Sequence, residues 1–256
     1  MSAAFTIDAF HRGNFWLVQP DGKGHRAGMD AMTLAAAVPS NFSGRLADFG
    51  AGAGGAGLAV ASRCAKSRVV LVERSPEMAD FAERSLAYSG NAHLADRASV
   101  LVADVAIAGR ERVAAGLADC SFDYVIMNPP FNALHDRKTP DALKQQAHVM
   151  EDGLFAQWIR SAAAVVRPRG GFAIIARPQS LRSILDALAG RFGNAEIVPV
   201  HARFDAPAIR IIVRAIRASR AGLKLCPPLI LHEAGSDLFS PRADDINNGR
   251  ASLFAD

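Results

Sequence analysis

Cysteine is scarce. The chain of 256 residues holds three, Cys64, Cys120 and Cys226, far apart and in no Cys-x-x-Cys pair. That excludes a disulfide framework and the usual thiolate zinc site, and it fits a reducing compartment. Long apolar runs are missing too. None approaches the ~20 residues that a membrane helix needs, and the N-terminus lacks the charged-then-apolar order of a secretory signal, so a cytoplasmic protein with no membrane partner is expected. No low-complexity tract or fixed-period repeat interrupts the sequence, which excludes the disordered and solenoid classes. What is present is ordinary globular composition, half of it hydrophobic, enough to bury a full core.

The formal net charge is +4, a mild excess that suits a polyanionic partner without requiring one. Its distribution is uneven. From His201 to Lys224 the cations Arg203, Arg210, Arg214, Arg217, Arg220 and Lys224 stand against the single acid Asp205. On one face they would form an electrostatic footprint for a phosphate backbone; balanced by acids distant in sequence, they would be an ordinary solvated surface. Both readings stand at this point.

The run Phe15-Trp16-Leu17-Val18 leading into Pro20-Asp21-Gly22-Lys23 predicts a short hairpin over residues 14–28. Asp30 is the expected cap of a helix over 31–38, which Pro39 ends. Strand and helix then alternate. Strands are expected at 45–49, 68–73, 98–102, 123–127, 171–176, 196–203 and 209–216, with helices at 57–64, from Ser75 to a close at Asn91, at 154–166 and at 180–192. This β-α-β spacing predicts a doubly wound, Rossmann-like α/β fold around a mostly parallel sheet of about seven strands. The expected layout is a hairpin-helix extension over 1–40, a core domain over 41–222 and a C-terminal appendage over 223–256.

The first core strand ends in Asp48-Phe49 and runs into Gly50-Ala51-Gly52-Ala53-Gly54-Gly55-Ala56-Gly57. Glycines at a strand-to-helix turn let backbone approach a ligand, and the helix start offers free N–H groups and a positive dipole end. Glu73 ends the second strand, where its carboxylate is placed to accept both ribose hydroxyls of an adenosine ligand. Asp104 follows the third strand. It can accept from an adenine amine while the Val105 N–H faces the ring, or it can be a plain turn residue. A dinucleotide and S-adenosylmethionine both fit the glycine turn and Glu73.

The fourth strand runs into Asn128-Pro129-Pro130-Phe131, beside the ligand crevice of an open α/β sheet. An exocyclic amine is a poor nucleophile because its lone pair is delocalised into the ring; acceptors bonding its N–H groups return density to nitrogen. The Asn128 side-chain oxygen and the Pro129 carbonyl are candidate acceptors, prolines fix their aim in advance, and Phe131 is placed to stack on the ring. Attack on an activated methyl with later proton loss needs no general base, so positioning carries the chemistry. The plain alternative is an Asn-Pro turn ending a buried strand.

The ordered set Asp48 to Gly54, Glu73, Asp104 and Asn128 to Phe131 resembles the amino-group branch of the S-adenosylmethionine-dependent methyltransferases. Two flanks, His25-Arg26-Ala27-Gly28-Met29-Asp30-Ala31-Met32-Thr33-Leu34 and Leu223 to Glu233, are similar to the bacterial valine-tRNA adenine-N6 methyltransferases. The resemblance spans nearly the whole chain. It implies S-adenosylmethionine as cofactor, held by Asp48, Phe49, Gly50, Ala51, Gly52, Gly54, Glu73, Asp104 and Val105. It further implies that Gly28 and Asp30 help close the donor pocket, and that Asn128, Pro129, Pro130 and Phe131 hold the target amine, with Asn128 also at the donor. The implied partner is RNA, a transfer RNA first, and no metal is implied. Release-factor glutamine methyltransferases and ribosomal guanine methyltransferases share the Asn-Pro-Pro logic, but the former carry a helical N-terminal domain and a tyrosine in place of Phe131, and the latter often duplicate their domain. A nicotinamide dehydrogenase leaves Asn128 to Phe131 unexplained, and a non-catalytic RNA-binding module remains a different class of reading. His135, His148 and His232 form no ligand pair. Trp158, at helical spacing with Phe155, Ile159 and Ala162, reads as core, while Arg137, Lys138 and Lys144 are either phosphate contacts or a solvated loop.

Overall fold

The computed structural model describes residues 4–21, 26–130 and 141–254. Phe131, His135, Arg137 and Lys138, with the side chains of Lys144 and His148, lie outside the described residues. Two strands, β1 (Phe5–Phe10) and β2 (Phe15–Pro20), form an antiparallel hairpin in which Phe10 pairs with Phe15. The hairpin expected over 14–28 is therefore displaced upstream. Its turn is made at residues 11–14, where His11 and Arg12 adopt left-handed φ of 49° and 56° ahead of Gly13, a conformation their side chains do not advertise. The partner strand β1 turns Phe5 and Ile7 toward solvent, so no buried apolar face marks it.

Helix α1 (Met29–Ala35) starts from Gly28, which caps it without a side-chain hydrogen bond. Asp30 is thus the second residue of the helix, in its first turn and not its cap, and its carboxylate accepts from Arg210 Nε at 2.8 Å. The chain then builds β3 (Ser43–Phe49), α2 (Gly55–Arg63), β4 (Lys66–Glu73), α3 (Pro76–Ala87), β5 (Ala98–Val102), α4 (Gly109–Ala114), β6 (Phe122–Met127), α5 (Asp141–Val165), β7 (Val166–Ala176), α6 (Leu181–Leu188), β8 (Phe192–His201) and β9 (Ala208–Arg217). Ser75 caps α3 by accepting from the Met78 N–H, with Pro76 in the first turn. Asn91 lies beyond α3. It is fully buried and ties β2 to α3, donating to the carbonyls of Trp16 and Ser85 at 2.7 Å.

Strands β3 to β9 are the seven that alternation predicts, in the order β8-β9-β7-β6-β3-β4-β5, all parallel except β9, which runs antiparallel to both neighbours. The tail adds two short strands, β10 (Lys224–Leu225) and β11 (Leu229–Ile230), parallel to β8, and a last helix, α7 (Pro241–Asn247). The sheet is doubly wound. On one face Leu46, Leu71, Tyr124 and Ala173 pack with α1 and α2; on the other Phe49, Val72, Val125 and Ile174 pack with α5 and α6. Central parallel strands buried on both faces read as continuous apolar runs, which is why their positions were predictable.

The three cations of residues 201–224 that lie on β9 do not share a face. Period-two alternation sends Arg210 and Arg214 to one side of β9 and Arg217 to the other. Arg203 pairs with Asp237, Arg210 with Asp30, Arg214 and Lys224 with Glu196, and Arg217 donates to the carbonyls of Ala163 and Arg191. Arg203, Arg210, Arg214 and Lys224 are thus paired with acids distant in sequence.

Candidate functional site

The first core strand, β3, is followed by β4 on one side and neighboured by β6 on the other, so the topology switches between β3 and β6. Open α/β sheets bind ligands outside the strand ends at such a point. Register sets Phe49 opposite Met127, and the next residues, Gly50 and Asn128, leave the sheet side by side. Glu73 pairs with Val102 at the ends of β4 and β5, which brings Asp104 alongside.

A cavity of about 590 Å³ opens over these four strand ends, within the usual range for small-molecule sites. Asp48, Gly50, Ala51, Gly52, Glu73, Asp104, Val105, Asn128 and Pro130 line it, and Gly28 and Asp30 reach it from the start of α1. Three expected residues stand off its wall. Phe49 is fully buried on the α5 face of the sheet, because alternation turns it away from Asp48. Gly54, with φ of 95°, caps α2 in the left-handed region. Pro129 is buried, while Pro130 is exposed.

Glu73 is engaged by the turn it faces. Its Oε2 accepts from the Gly52 N–H at 2.9 Å and its Oε1 from the Ser75 N–H at 2.8 Å. A carboxylate has about four lone-pair sites, so capacity remains for hydroxyls of a ligand. Asp104 Oδ1 accepts from the Ala106 N–H at 2.8 Å; it is a turn residue and a cavity residue at once. At Asn128, the side-chain Oδ1 is buried and has no hydrogen-bond partner among the described residues. Leaving a buried acceptor unpaired costs about 1–3 kcal/mol.

Asp48 lies beneath the glycine turn, buried, with Oδ2 accepting from the Gly57 N–H at 2.7 Å, one of the orphan donors of the α2 N-terminus. Burial pushes its carboxyl up to about 7, the Glu73 charge adding to the rise and the Gly57 hydrogen bond opposing it. Between about pH 4 and pH 7 the folded chain therefore holds a proton that the unfolded chain has released, and stability falls as pH rises through that window. The full penalty, at most about 4 kcal/mol, is present above pH 7. Asp48→Asn keeps an oxygen for Gly57 and removes the charge. Denaturant unfolding of the ligand-free variant is expected to be flatter with pH, and the variant more stable than the parent at about pH 8; equal pH slopes in the two proteins would count against the buried proton.

Trp158 is the site residue that sequence reasoning missed. Its spacing with Phe155 and Ile159 correctly marks it as core, 7% exposed, yet it also lines the cavity. A Cβ on Gly50, whose φ is 71°, would come within 2.6 Å of the Trp158 ring. Glycine is required there on two counts, and that requirement was the one available signal that something bulky lies opposite. Leu154 and Met78 complete the apolar wall.

The residues fit S-adenosylmethionine: an acid with capacity left for ribose hydroxyls, glycines leaving room for close approach, apolar walls, and beside the donor space an acceptor without a partner among the described residues. Among the described residues no cluster of His, Cys, Asp and Glu is placed to hold a metal ion, and no helix is long and apolar enough to cross a membrane. Residues 26–206 match the family model described as methyltransferase small domain. No curated protein matches the chain. Among solved structures, a predicted O-methyltransferase from Agrobacterium tumefaciens is 46% identical, with a TM-score of 0.77 over 87% of this chain and 97% of its own. A 16S rRNA guanine-N2 methyltransferase from T. thermophilus, in complex with AdoMet and guanosine, is 18% identical with a TM-score of 0.54, covering 83% of this chain and 50% of its own. A TYW2 protein from M. jannaschii in complex with AdoMet is 13% identical with a TM-score of 0.52, covering 85% and 87%; at these identities the last two share the fold alone. With the family model covering most of the sequence, and the cavity at the switch point furnished as described, the chain belongs to the methyltransferase small domain family and is an S-adenosylmethionine-dependent methyltransferase.

Proposed function

We propose that this methyltransferase acts on an exocyclic amine, an adenine N6 in RNA, with transfer RNA the first candidate. The observation that carries the reading is Asn128 on the cavity wall, its buried Oδ1 without a hydrogen-bond partner among the described residues. A buried acceptor left without a donor is a cost the fold bears unless a ligand supplies the hydrogen, and a planar amine supplies two. Bound S-adenosylmethionine brings a methyl on a sulfonium sulfur, an electrophile strong enough to need only a well-placed nucleophile. In this reading Asn128 Oδ1 accepts one amine hydrogen; the Pro129 carbonyl, its direction limited by the two proline rings, is the second acceptor the motif offers, set behind the wall that Asn128 and Pro130 line. Both raise the electron density of the nitrogen and fix its lone pair. The amine proton departs after the bond to carbon has formed. Trp158 and Leu154 keep water from the apolar side.

The Agrobacterium relative is named a predicted O-methyltransferase. A hydroxyl acceptor requires a base that takes its proton, and an amide oxygen is not one; the carboxylates that line the cavity are each engaged with Arg210 or a backbone N–H, and the Asn128 carboxamide favours the amine. The test is incubation with isotope-labelled donor and separate pools of transfer RNA, ribosomal RNA and release factor, followed by nucleoside and peptide mass spectrometry. The expected product is N6-methyladenosine in transfer RNA. Label on a ribose or side-chain hydroxyl, on glutamine, or on guanine would replace this reading, and binding of donor without transfer to any pool would sink it.

A further inference from the structure

Residues 26–28 form one wall of the donor cavity and belong to no helix or strand, so no backbone ladder holds them. Gly28 is tied to α1, its carbonyl accepting from the Ala31 and Met32 N–H groups; Arg26 and Ala27 are held from the N-terminal hairpin. The Ala27 N–H donates to Gln19 Oε1 at 2.7 Å, and Gln19 Nε2 donates to Asp8 Oδ2 at 2.9 Å. The same Asp8 oxygen accepts from Arg26 Nη2 at 2.6 Å and from Thr6 Oγ1 at 2.8 Å. Gln19 is only 1% exposed. In the hairpin register Gln19 faces Thr6, and Asp8 lies on the diagonal, so the three side chains share one face of a two-stranded sheet. On its other side the Ala27 methyl packs where Gly55 begins α2: a Cβ on Gly55 would come within 2.5 Å of it. Hairpin, cavity wall and glycine-turn helix are thus joined through one buried amide.

We infer that Gln19 is a positioning residue for the methyl donor, holding the wall at residues 26–28 against α2 through Asp8 and Ala27, and that the hairpin is part of the donor site. The Gln19 carboxamide uses its oxygen on Ala27 in the wall and its NH₂ on Asp8, which in turn holds Arg26. A wall held in place before binding spares the ligand the cost of ordering it. Without the amide, Ala27 loses its acceptor and Arg26 is left with Asp8 and the Pro20 carbonyl at the rim.

The test uses the full chain and the donor alone, so it does not depend on which acceptor is methylated. In calorimetric titration with S-adenosylmethionine, Gln19→Leu is expected to raise Kd about tenfold or more. Gln19→Glu, equal in size, keeps an oxygen for Ala27 but sets a carboxylate against Asp8, and is expected to weaken binding as well. Adding Asp8→Asn to it reverses the polarity of that contact, with the new amide on β1 donating to the new carboxylate on β2; because Arg26 and Thr6 lose the charged oxygen they share with it, Kd is expected to fall clearly below that of Gln19→Glu without reaching that of the parent. A folded Gln19→Leu chain binding within about twofold of the parent would overturn the inference. So would a double variant that binds no better than Gln19→Glu, since a merely structural role would show in the thermal midpoint and not in this pattern of Kd.

Discussion

Asn128→Ala is expected to lower methyl transfer by on the order of 10²–10³, the usual effect of removing one group aimed at the reacting centre, while calorimetric donor Kd stays within about threefold of the parent. The two halves of this expectation come from geometry. The Asn128 carboxamide follows β6, one strand across the switch from Gly50, whereas the acid assigned to ribose ends β4 on the far side of β3. Stability supplies a third readout. Because Oδ1 is buried with no partner among the described residues, truncation removes an unmet polar group worth about 1–3 kcal/mol, offset by a small loss of packing. The thermal midpoint of the variant is therefore expected to equal or exceed that of the parent. A chain that is less active because it is less folded would show the opposite. Turnover within about fivefold of the parent would remove Asn128 from the amine site, since even a single modest catalytic contact is worth more than that.

The contrast between what alternation discloses and what it hides runs through this molecule. Val69 to Val72 and Tyr124 to Met127 are buried on both sides of the sheet, so their apolar runs declare central parallel strands, and the residues immediately after them fall at the ligand edge by topology alone. Glu73 and Asn128 were legible for that reason, whereas Asp104 follows β5, a half-exposed edge strand. β1 was not, because its apolar side chains Phe5 and Ile7 face solvent and its tie to β2 is a turn built on left-handed His11 and Arg12. Pairings between residues distant in sequence were equally silent. Nothing local couples Arg214 to Glu196 or Arg210 to Asp30, so the sequence left a binding face and a charge-balanced surface equally open, and only the folded chain shows these pairs. The Gly50–Trp158 contact is of the same kind: each residue has an adequate local explanation, and only the fold sets one against the other.

Glu73→Ala is expected to raise donor Kd by on the order of 10²-fold or more, the equivalent of about 3 kcal/mol. Two losses combine. One is the proposed pair of charge-assisted hydrogen bonds to ribose hydroxyls, each worth about 1.5–3 kcal/mol. The other is the hold on the turn itself, since Gly52 and Ser75 both donate backbone N–H groups to this carboxylate and would be left to water or to nothing. Glu73→Gln separates them. An amide has one oxygen, so it keeps one of the two backbone bonds and presents an NH₂ to the other donor; its Kd is expected between those of parent and alanine variant. Maximal transfer rate at saturating donor should change far less than Kd, because the acceptor contacts at Asn128 come from a different strand. If Glu73→Ala binds S-adenosylmethionine within about threefold of the parent, the cavity holds its ligand in another orientation, with the adenosine away from β4, and the placement of the methyl beside Asn128 would have to be rebuilt from that starting point.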